Sequence, residues 1–342
     1  MLIVVVDLLD SALGKSAAAR QASEKSIILE ANKFNSPKSL ICAIRKHKPS
    51  IVLFSFRQAM VDILSLRSSF EHYKILHQTA RIGVLVPDCL DMENDFDNVL
   101  PEYIRSLDFL LTTNYQLKDF YISKVPVSLP VQIYHDLVDV SKIKLVRPYM
   151  KKNERSLIWI GNSKWGKRQG KRDHKGFHNF VKPLMSSNSM RDWEFKVIDS
   201  AYKSLPYIEV LEKLANCKFL LQTSDSEGTS LPILEASLLG TIPITTNVGI
   251  ANELLGDDFK FLIVQRDLKS IESALKQLEG DLKPLQIKLI EISERYLAKI
   301  SQEKVPRNLA HIGNSLMIIT NMKSKIMIKL KWIYRYLVRI RI

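Results

Sequence analysis

Short apolar runs alternate with helix-length segments along the first 140 residues. LIVVV (2–6), IVLFSF (51–56), RIGVLV (81–86) and DFLLTT (108–113) are almost unbroken in apolar and β-branched residues, as strands buried on both faces require. Helical segments are expected between them at 15–31, 57–70 and 115–122. This alternation predicts parallel strands joined by crossover helices. SKVPVSLPVQIYHDLVDV (123–140) is extended and punctuated by proline, and reads as a hinge. A second unit opens at SLIWIG (156–161) and continues with strand patterns at WEFKVID (193–199), KFLLQT (218–223), GTIPITT (240–246) and KFLIV (260–264). Helices are expected at 206–216, 230–239, 267–279 and 283–301. The expected organisation is two α/β units, 1–140 and 141–302, followed by a helical return and a basic amphipathic tail over 303–342. In parallel sheets, ligands sit beyond the carboxyl ends of the strands, which makes the cleft between two such units the default site.

Composition narrows the class. The chain has 342 residues, 46% hydrophobic and 25% charged, the balance of a folded protein rather than a disordered one. A formal net charge of +14 points to an anionic partner: nucleic acid, a membrane surface or a phosphorylated small molecule. Cys42, Cys89 and Cys217 are far apart and form no CxxC pair, so a disulfide framework is not expected and a reducing compartment is. The opening MLIVVVDLLD has no basic n-region and is broken by Asp7, the pattern of a buried first strand rather than a signal peptide. No run approaches the roughly 18 uninterrupted apolar residues of a membrane span. A cytoplasmic location is expected.

One stretch carries most of the chemistry. SDSEGTSLPILEASLLGTIPITT (224–246) places Glu227 and Glu235 eight residues apart around a Gly-Thr-Ser turn in an otherwise apolar run. Carboxylates are costly to bury unless hydrogen-bonded. KFLLQT is the strand, DSEG the turn, and TSLPILEASLLG a helix stopped by Gly240. Thr229 or Ser230 suits the N-cap, and Pro232 suits a first turn, where its missing N–H is not needed. The helix N-terminus between the two carboxylates offers free N–H groups and a positive dipole, a seat for phosphate. Carboxylates on either side are suited to accept hydrogen bonds from sugar or ribose hydroxyls. The spacing alone leaves two readings open: a polar ligand held between the glutamates, or a capped helix with both in solvent.

The motif resembles the E-x7-E signature of retaining glycosyltransferases of the two-domain GT-B fold, especially the family 4 type that builds cell-surface polysaccharide or lipopolysaccharide. Glu227, Gly228, Leu234, Glu235, Ala236, Gly240, Pro243 and Ile244 fit that pattern, and Gly249 and Glu253 in NVGIANELLG fit its next loop. WIGNSKWGKRQGKRDHKGF (159–177) resembles the family's strand and phosphate-binding loop, with Lys175-Gly176 matching its Lys-Gly. The likeness covers roughly residues 1–300 and is strongest over 156–265. It implies an N-terminal Rossmann-like acceptor domain and a C-terminal Rossmann-like donor domain. It also implies sugar transfer, with retention and without metal, from a nucleotide-diphosphate sugar to a glycan or lipid-linked acceptor. The nucleotide sugar is a substrate, and no cofactor is expected. By the same resemblance Glu227 is the catalytic residue and orients the donor sugar. Glu235 takes the ribose hydroxyls, the N–H groups of Thr229, Ser230 and Leu231 hold the diphosphate with Lys175, and Gly228 binds the donor beside them. Gly161 and Asn162 line the donor site from the first strand of the second unit, and Gly14 lines it from the first unit's opening turn. Asn162 departs from the family, which usually has arginine there. The opening turn, glycine-rich in the family, retains only Gly14.

Other features have simpler explanations. ALGKSAAAR lacks the first glycine of a phosphate-binding P-loop, because Leu9 stands in its place. His174 and His178 share i,i+4 spacing without a third metal ligand, and the acids of CLDMENDFD (89–97) read as a solvated loop. KWGKRQGKRDHKG carries Lys164, Lys167, Arg168, Lys171, Arg172 and Lys175 against one acid, but only Trp165 among aromatics. A nucleotide diphosphate or lipid diphosphate suits that loop better than nucleic acid, which is not expected as a partner. KSKIMIKLKWIYRYLVRIRI (323–342) has seven basic residues and no acid, with Lys325, Lys329, Lys331, Arg335 and Arg339 on one helical arc and apolar residues on another. It reads as an in-plane helix on an anionic membrane surface, which would make the protein peripheral on the cytoplasmic face. The other open functions are a sugar-nucleotide epimerase of the same build, a non-catalytic sugar-binding relative and a basic nucleic-acid binder.

Overall fold

The computed structural model describes residues 2–7, 25–55, 76, 80–86, 107–125, 127–147, 153–165, 173–278 and 280–303. Gly14, the helix expected at 57–70, the acidic stretch 89–97, Lys167, Arg168, Lys171, Arg172 and the basic tail 323–342 lie outside them.

The first sheet has six strands: β1 (Ile3–Asp7), β2 (Ser26–Glu30), β3 (Ile51–Phe54), β4 (Arg81–Val86), β5 (Phe109–Thr112) and β6 (Val131–Ile133). Their order is β2-β1-β3-β4-β5-β6, and every pairing is parallel. Side chains alternate between faces along each strand. Val4, Val6, Val52, Phe54, Ile82, Val84 and Leu110 enter one buried cluster, while Ile3, Val5, Ile51, Leu53, Leu85, Phe109 and Leu111 enter another. Cover on both faces is the physical reason for the unbroken apolar runs.

The second sheet is also parallel, with β7 (Asn153–Gly161), β8 (Glu194–Asp199), β9 (Cys217–Gln222) and β10 (Ile242–Thr245) in the order β10-β9-β7-β8. The chain first adds β8 on one side of β7 and then returns to add β9 and β10 on the other. The switch point therefore falls between β7 and β9, where open sheets of this kind bind ligands. Leu157, Trp159, Phe219, Leu221, Ile242 and Ile244 form one buried face, and Ile158 and Leu220 belong to the other. The carboxyl ends of β7 and β9 carry Gly161 and the 223–230 turn.

Three elements differ from the pattern. Residues Ser26–Glu30 are strand β2, not the end of a helix, because they pair with Ile3–Asp7 along a buried sheet. Helix α1 (Pro37–Lys46) is not among the expected helices. Ser36 and Ser39 close a capping box there, Pro37 opens the first turn, and Leu40, Ile41 and Ile44 are buried. KFLIV is not a strand: Lys260–Leu262 form a 3-10 turn, leaving one bridge, Thr245 to Ile263. Phe259 and Leu262, three apart, are buried while Phe261 is 53% exposed, a spacing that suits three residues per turn. The hinge segment contributes edge strand β6 and then α3 (Val140–Val146), whose Ile143 and Val146 pack in the second unit's core beside Leu137 and Val138.

Candidate functional site

Beyond Gln222, residues 223–230 cross the carboxyl edge of the second sheet into α6 (Leu231–Leu238). Pro232 occupies the first turn as expected. Ser230 stands at the N-cap position, but its capping differs from expectation. Its backbone is left-handed (φ 57°, ψ 60°) and its hydroxyl makes no capping bond, a conformation L-residues adopt rarely. Among the described residues no acceptor meets the backbone N–H of Gly228, Thr229 or Ser230. First-turn N–H groups normally bond a cap, water or a ligand. Here the Ser230 hydroxyl leaves that first turn uncapped, and Gly228 and Thr229 lie just ahead of it.

Neither glutamate stands in solvent. Glu227 accepts hydrogen bonds from the Ser224 hydroxyl at 2.5 Å and the Gln222 carboxamide at 2.9 Å, and its carboxylate is paired with Lys175. Glu235, 5% exposed, accepts from the Tyr207 hydroxyl at 2.5 Å. Tyr207 opens helix α5 (Tyr207–Ala215). Burial, with the Glu235 charge beside it, pushes the phenol well above its ordinary pKa, so it remains a donor.

Lys175 is delivered by a loop between β7 and the short helix α4 (Lys182–Met185), and the loop is tied to the end of β9. The Thr223 hydroxyl donates to the Lys175 carbonyl at 2.8 Å, and the Asp225 N–H to the His174 carbonyl at 3.0 Å. Gly176 is left-handed (φ 73°), and a Cβ there would lie 2.5 Å from the Thr223 carbonyl oxygen, so only glycine fits both the turn and the close approach. Arg266, which sequence reasoning did not select, straps the same loop: its guanidinium donates to the carbonyls of Thr223 at 2.8 Å and Asp173 at 2.7 Å, and stacks on Phe180. A single arginine after KFLIV carries no spacing that would reveal this role. His174 and His178 do not act as a pair; His174 meets Asp225 while His178 lies against Phe177.

Gly161 and Asn162 lie at the end of β7. The Gly161 carbonyl accepts from the Ser200 N–H at 2.9 Å, and a Cβ on Gly161 would strike the Trp159 ring at 2.6 Å. The Asn162 carboxamide oxygen accepts the Lys164 N–H at 2.9 Å, so the side chain closes its own turn. Asp199, at the end of β8, accepts from the N–H groups of Ser163 and Ala201 at 3.0 Å each. Burial would raise its pKa, but these bonds and the Lys164 charge hold it below the usual carboxylate value. The Lys164 ammonium sits 4.3 Å from the centre of the Tyr202 ring, over an aromatic that is 74% exposed.

The first unit reaches this edge through helix α2 (Tyr115–Ile122) and the segment after β6. Asn114 donates from its carboxamide to the Gly228 carbonyl at 2.7 Å, and the Thr229 hydroxyl donates to Asp136 at 2.5 Å. Glu253, in helix α7 (Ala251–Leu255), accepts from the Tyr115 N–H at 2.8 Å, His135 Nε2 at 2.8 Å and the Tyr296 hydroxyl at 3.2 Å. The other His135 ring nitrogen meets Glu303 at 2.8 Å. Burial opposes charge on this ring, but the two flanking carboxylates outweigh it and raise the pKa to about 9. His135 is therefore an imidazolium donating in both directions. Among the described residues no three His, Cys, Asp or Glu side chains group as a metal site would need, and no helix is long and apolar enough to cross a membrane.

Residues 201–295 match the family model of glycosyl transferases group 1. The chain is similar in structure to HepE of Anabaena, solved with UDP and glucose, over 95% of this chain and 100% of that one (TM-score 0.56, 13% identity). Sucrose-phosphate synthase of Thermosynechococcus elongatus covers 94% and 100% (TM-score 0.55, 9% identity). The pneumococcal O-GlcNAc transferase GtfA, in complex with UDP and GlcNAc, covers 80% of this chain and 59% of its own (TM-score 0.50, 14% identity). No curated protein matches the chain. The chain has the two-domain GT-B fold.

Proposed function

We propose that this protein is a glycosyltransferase that moves a sugar from a nucleotide-diphosphate donor to a glycan or lipid-linked acceptor, with retention of configuration. The observation that carries the reading is the 223–235 segment, the turn and the start of α6. A lysine-paired carboxylate, a row of N–H groups without acceptors among the described residues and a buried second carboxylate stand there in sequence, inside the segment that matches glycosyl transferases group 1. Support also comes from HepE, a GT-B neighbour that holds UDP and glucose.

In this reading the diphosphate lies against the N–H groups of Gly228, Thr229, Ser230 and Leu231, at the positive end of α6. An ammonium has three N–H donors, so Lys175 serves Glu227 and a phosphate oxygen together. As the glycosidic bond breaks, negative charge grows on the leaving diphosphate, and fixed donors stabilise it without reorganising. Glu235, oriented by Tyr207, accepts from the ribose hydroxyls. Glu227, held by Lys175, Gln222 and Ser224, orients the donor sugar near the reacting carbon. These residues meet the charge of the diphosphate without calling on a metal. Gly161, Asn162 and Gly14 complete the donor site. The N-terminal unit presents the acceptor across the cleft, and the tail 323–342 holds the enzyme on an anionic cytoplasmic membrane face, as a polysaccharide or lipopolysaccharide assembly step would use.

A thermal-shift panel of UDP, GDP, ADP and CDP on wild type and Glu235→Ala tests the reading. A nucleotide at about a hundred times its dissociation constant stabilises the native state by roughly 2.7 kcal/mol. One nucleotide is expected to raise the midpoint, and Glu235→Ala is expected to abolish the rise. If no nucleotide does so while anionic vesicles or nucleic acid do, the transferase reading falls.

A further inference from the structure

Asn114 precedes helix α2 in the first unit and is fully buried. Its carboxamide is used at both ends. The oxygen accepts the Leu117 N–H at 2.8 Å and caps the helix. The nitrogen donates across to the second unit, to the Gly228 carbonyl at 2.7 Å and, more weakly, to the Glu227 carbonyl at 3.4 Å. A flipped amide would set oxygen against two carbonyls and N–H against N–H, so the orientation is fixed by its surroundings. Capping accepts Asp, Ser or Asn equally. Of these three, only asparagine also carries an N–H donor with that reach.

The carbonyl it grips is confined from a second direction. Gly249 is left-handed (φ 58°), and a Cβ there would lie 2.6 Å from the Gly228 oxygen and 2.7 Å from the Thr229 oxygen. Ile250 donates its N–H to the Thr229 carbonyl at 3.2 Å. The Gly228 carbonyl thus lies between Asn114 on one side and the 249–250 backbone on the other. A trans peptide points its C=O and N–H in opposite directions. Holding the Gly228 oxygen therefore aims the Thr229 N–H away from Asn114.

We propose that Asn114 is a positioning residue for the donor site: from the acceptor domain, it sets the peptide planes of the Glu227–Thr229 turn. The inference that this turn then serves a diphosphate rests on the function proposed above. The consequence is that the donor site is complete only while the two units are docked. Moving α2 away removes the donor that orients the turn.

Asn114→Ser and Asn114→Asp keep the cap oxygen and remove the N–H donor, and the aspartate adds like-charge opposition to the carbonyls. Gln116→Ala is the control, because it removes an exposed bond between the units, to Asn247 at 2.9 Å, without touching the turn. Two measurements separate the possibilities. In ligand-free protein, amide exchange at Ile250 is expected to rise about tenfold in both Asn114 variants, with α2 amides unchanged; a buried hydrogen bond of this kind is worth roughly that factor. The affinity for whichever of UDP, GDP, ADP and CDP stabilises wild type is expected to fall about tenfold, more for Asp than Ser, with Gln116→Ala within about twofold. Wild-type exchange and affinity in both Asn114 variants would reduce the residue to a helix cap and overturn the proposal. Faster exchange in the variants, with no nucleotide bound even by wild type, sustains the positioning of the turn and refutes the donor-site reading instead.

Discussion

Glu227 and Glu235 are one motif in the sequence and two different sites in the fold. Glu227 sits in a turn at the sheet edge, 13% exposed at its side chain, beside a cation and two neutral donors. Glu235 sits inside a helix, buried, with a phenol as a partner. A carboxylate paired with a mobile ammonium can share that partner with an incoming anion. One fixed by a phenol is an oriented acceptor for neutral hydroxyls. The contrast separates a carboxylate held in a charged network from one held by a neutral hydroxyl.

The largest expected effect comes from breaking the charged site. Lys175→Ala should lower donor turnover by about 10²–10³-fold, the magnitude of losing one fixed electrostatic group in a transition state, and Glu227→Gln should lower it by about 10²-fold through lost positioning of the donor sugar. Glu227→Gln should leave nucleoside diphosphate affinity within about threefold in titration calorimetry, because the N–H row and Lys175 remain. Comparable losses of turnover and affinity would mean that the two glutamates do not divide the work.

A third carboxylate sharpens the contrast by pH. Glu253 and Glu303 flank the His135 imidazolium, whose pKa rises from 6.5 to about 9, a difference worth roughly 3 kcal/mol. Because the folded value is the higher one, this stability is fully present below pH 6.5 and disappears as pH rises through about 9. Denaturation midpoints measured across that window should therefore fall. In Glu253→Gln the fall should be smaller and be complete at a lower pH, because only the folded value drops.

Smaller effects test the directional site and its rim. Tyr207→Phe removes the donor to Glu235 and should weaken nucleotide binding about fivefold, with turnover at saturating donor nearly unchanged. Asn162→Ala opens only a local turn bond to Lys164. It should change affinity less than about threefold in the same calorimetric titration, since an exposed hydrogen bond of this kind contributes little net.

Much of the fold is legible in the order of residues along the chain. Strands β1, β3, β4, β5, β9 and β10 follow runs of apolar continuity, β7 overlaps SLIWIG but begins three residues earlier at Asn153, β8 falls in the mixed run WEFKVID, and helices at 207–215, 231–238, 268–277 and 283–301 lie where periodicity places them. Strand β2 is not legible, since SIILE has the composition of either a buried strand or a helix end. Helix α1 begins at Ser36-Pro37, a local start signal without a long periodic run behind it. In the site, the E-x7-E turn and Lys175-Gly176 can be selected from sequence because they are contiguous motifs. Asn114, Asp136, His135 and Arg266 cannot, because their partners lie from 43 residues away, for Arg266 and Thr223, to 168, for His135 and Glu303.

The sequence by itself determined two parallel α/β units and a turn bearing two carboxylates around a helix N-terminus. Period, apolar continuity and glycine placement are local, and they act on the backbone within a few residues. Only the tertiary structure decided what each carboxylate faces. It gave Lys175 to Glu227 and Tyr207 to Glu235, turned Ser230 away from capping, and brought Asn114 of one unit to the Gly228 carbonyl of the other. Those outcomes depend on buried polar groups finding partners across the fold, where an unpaired group costs more than any local preference can offset.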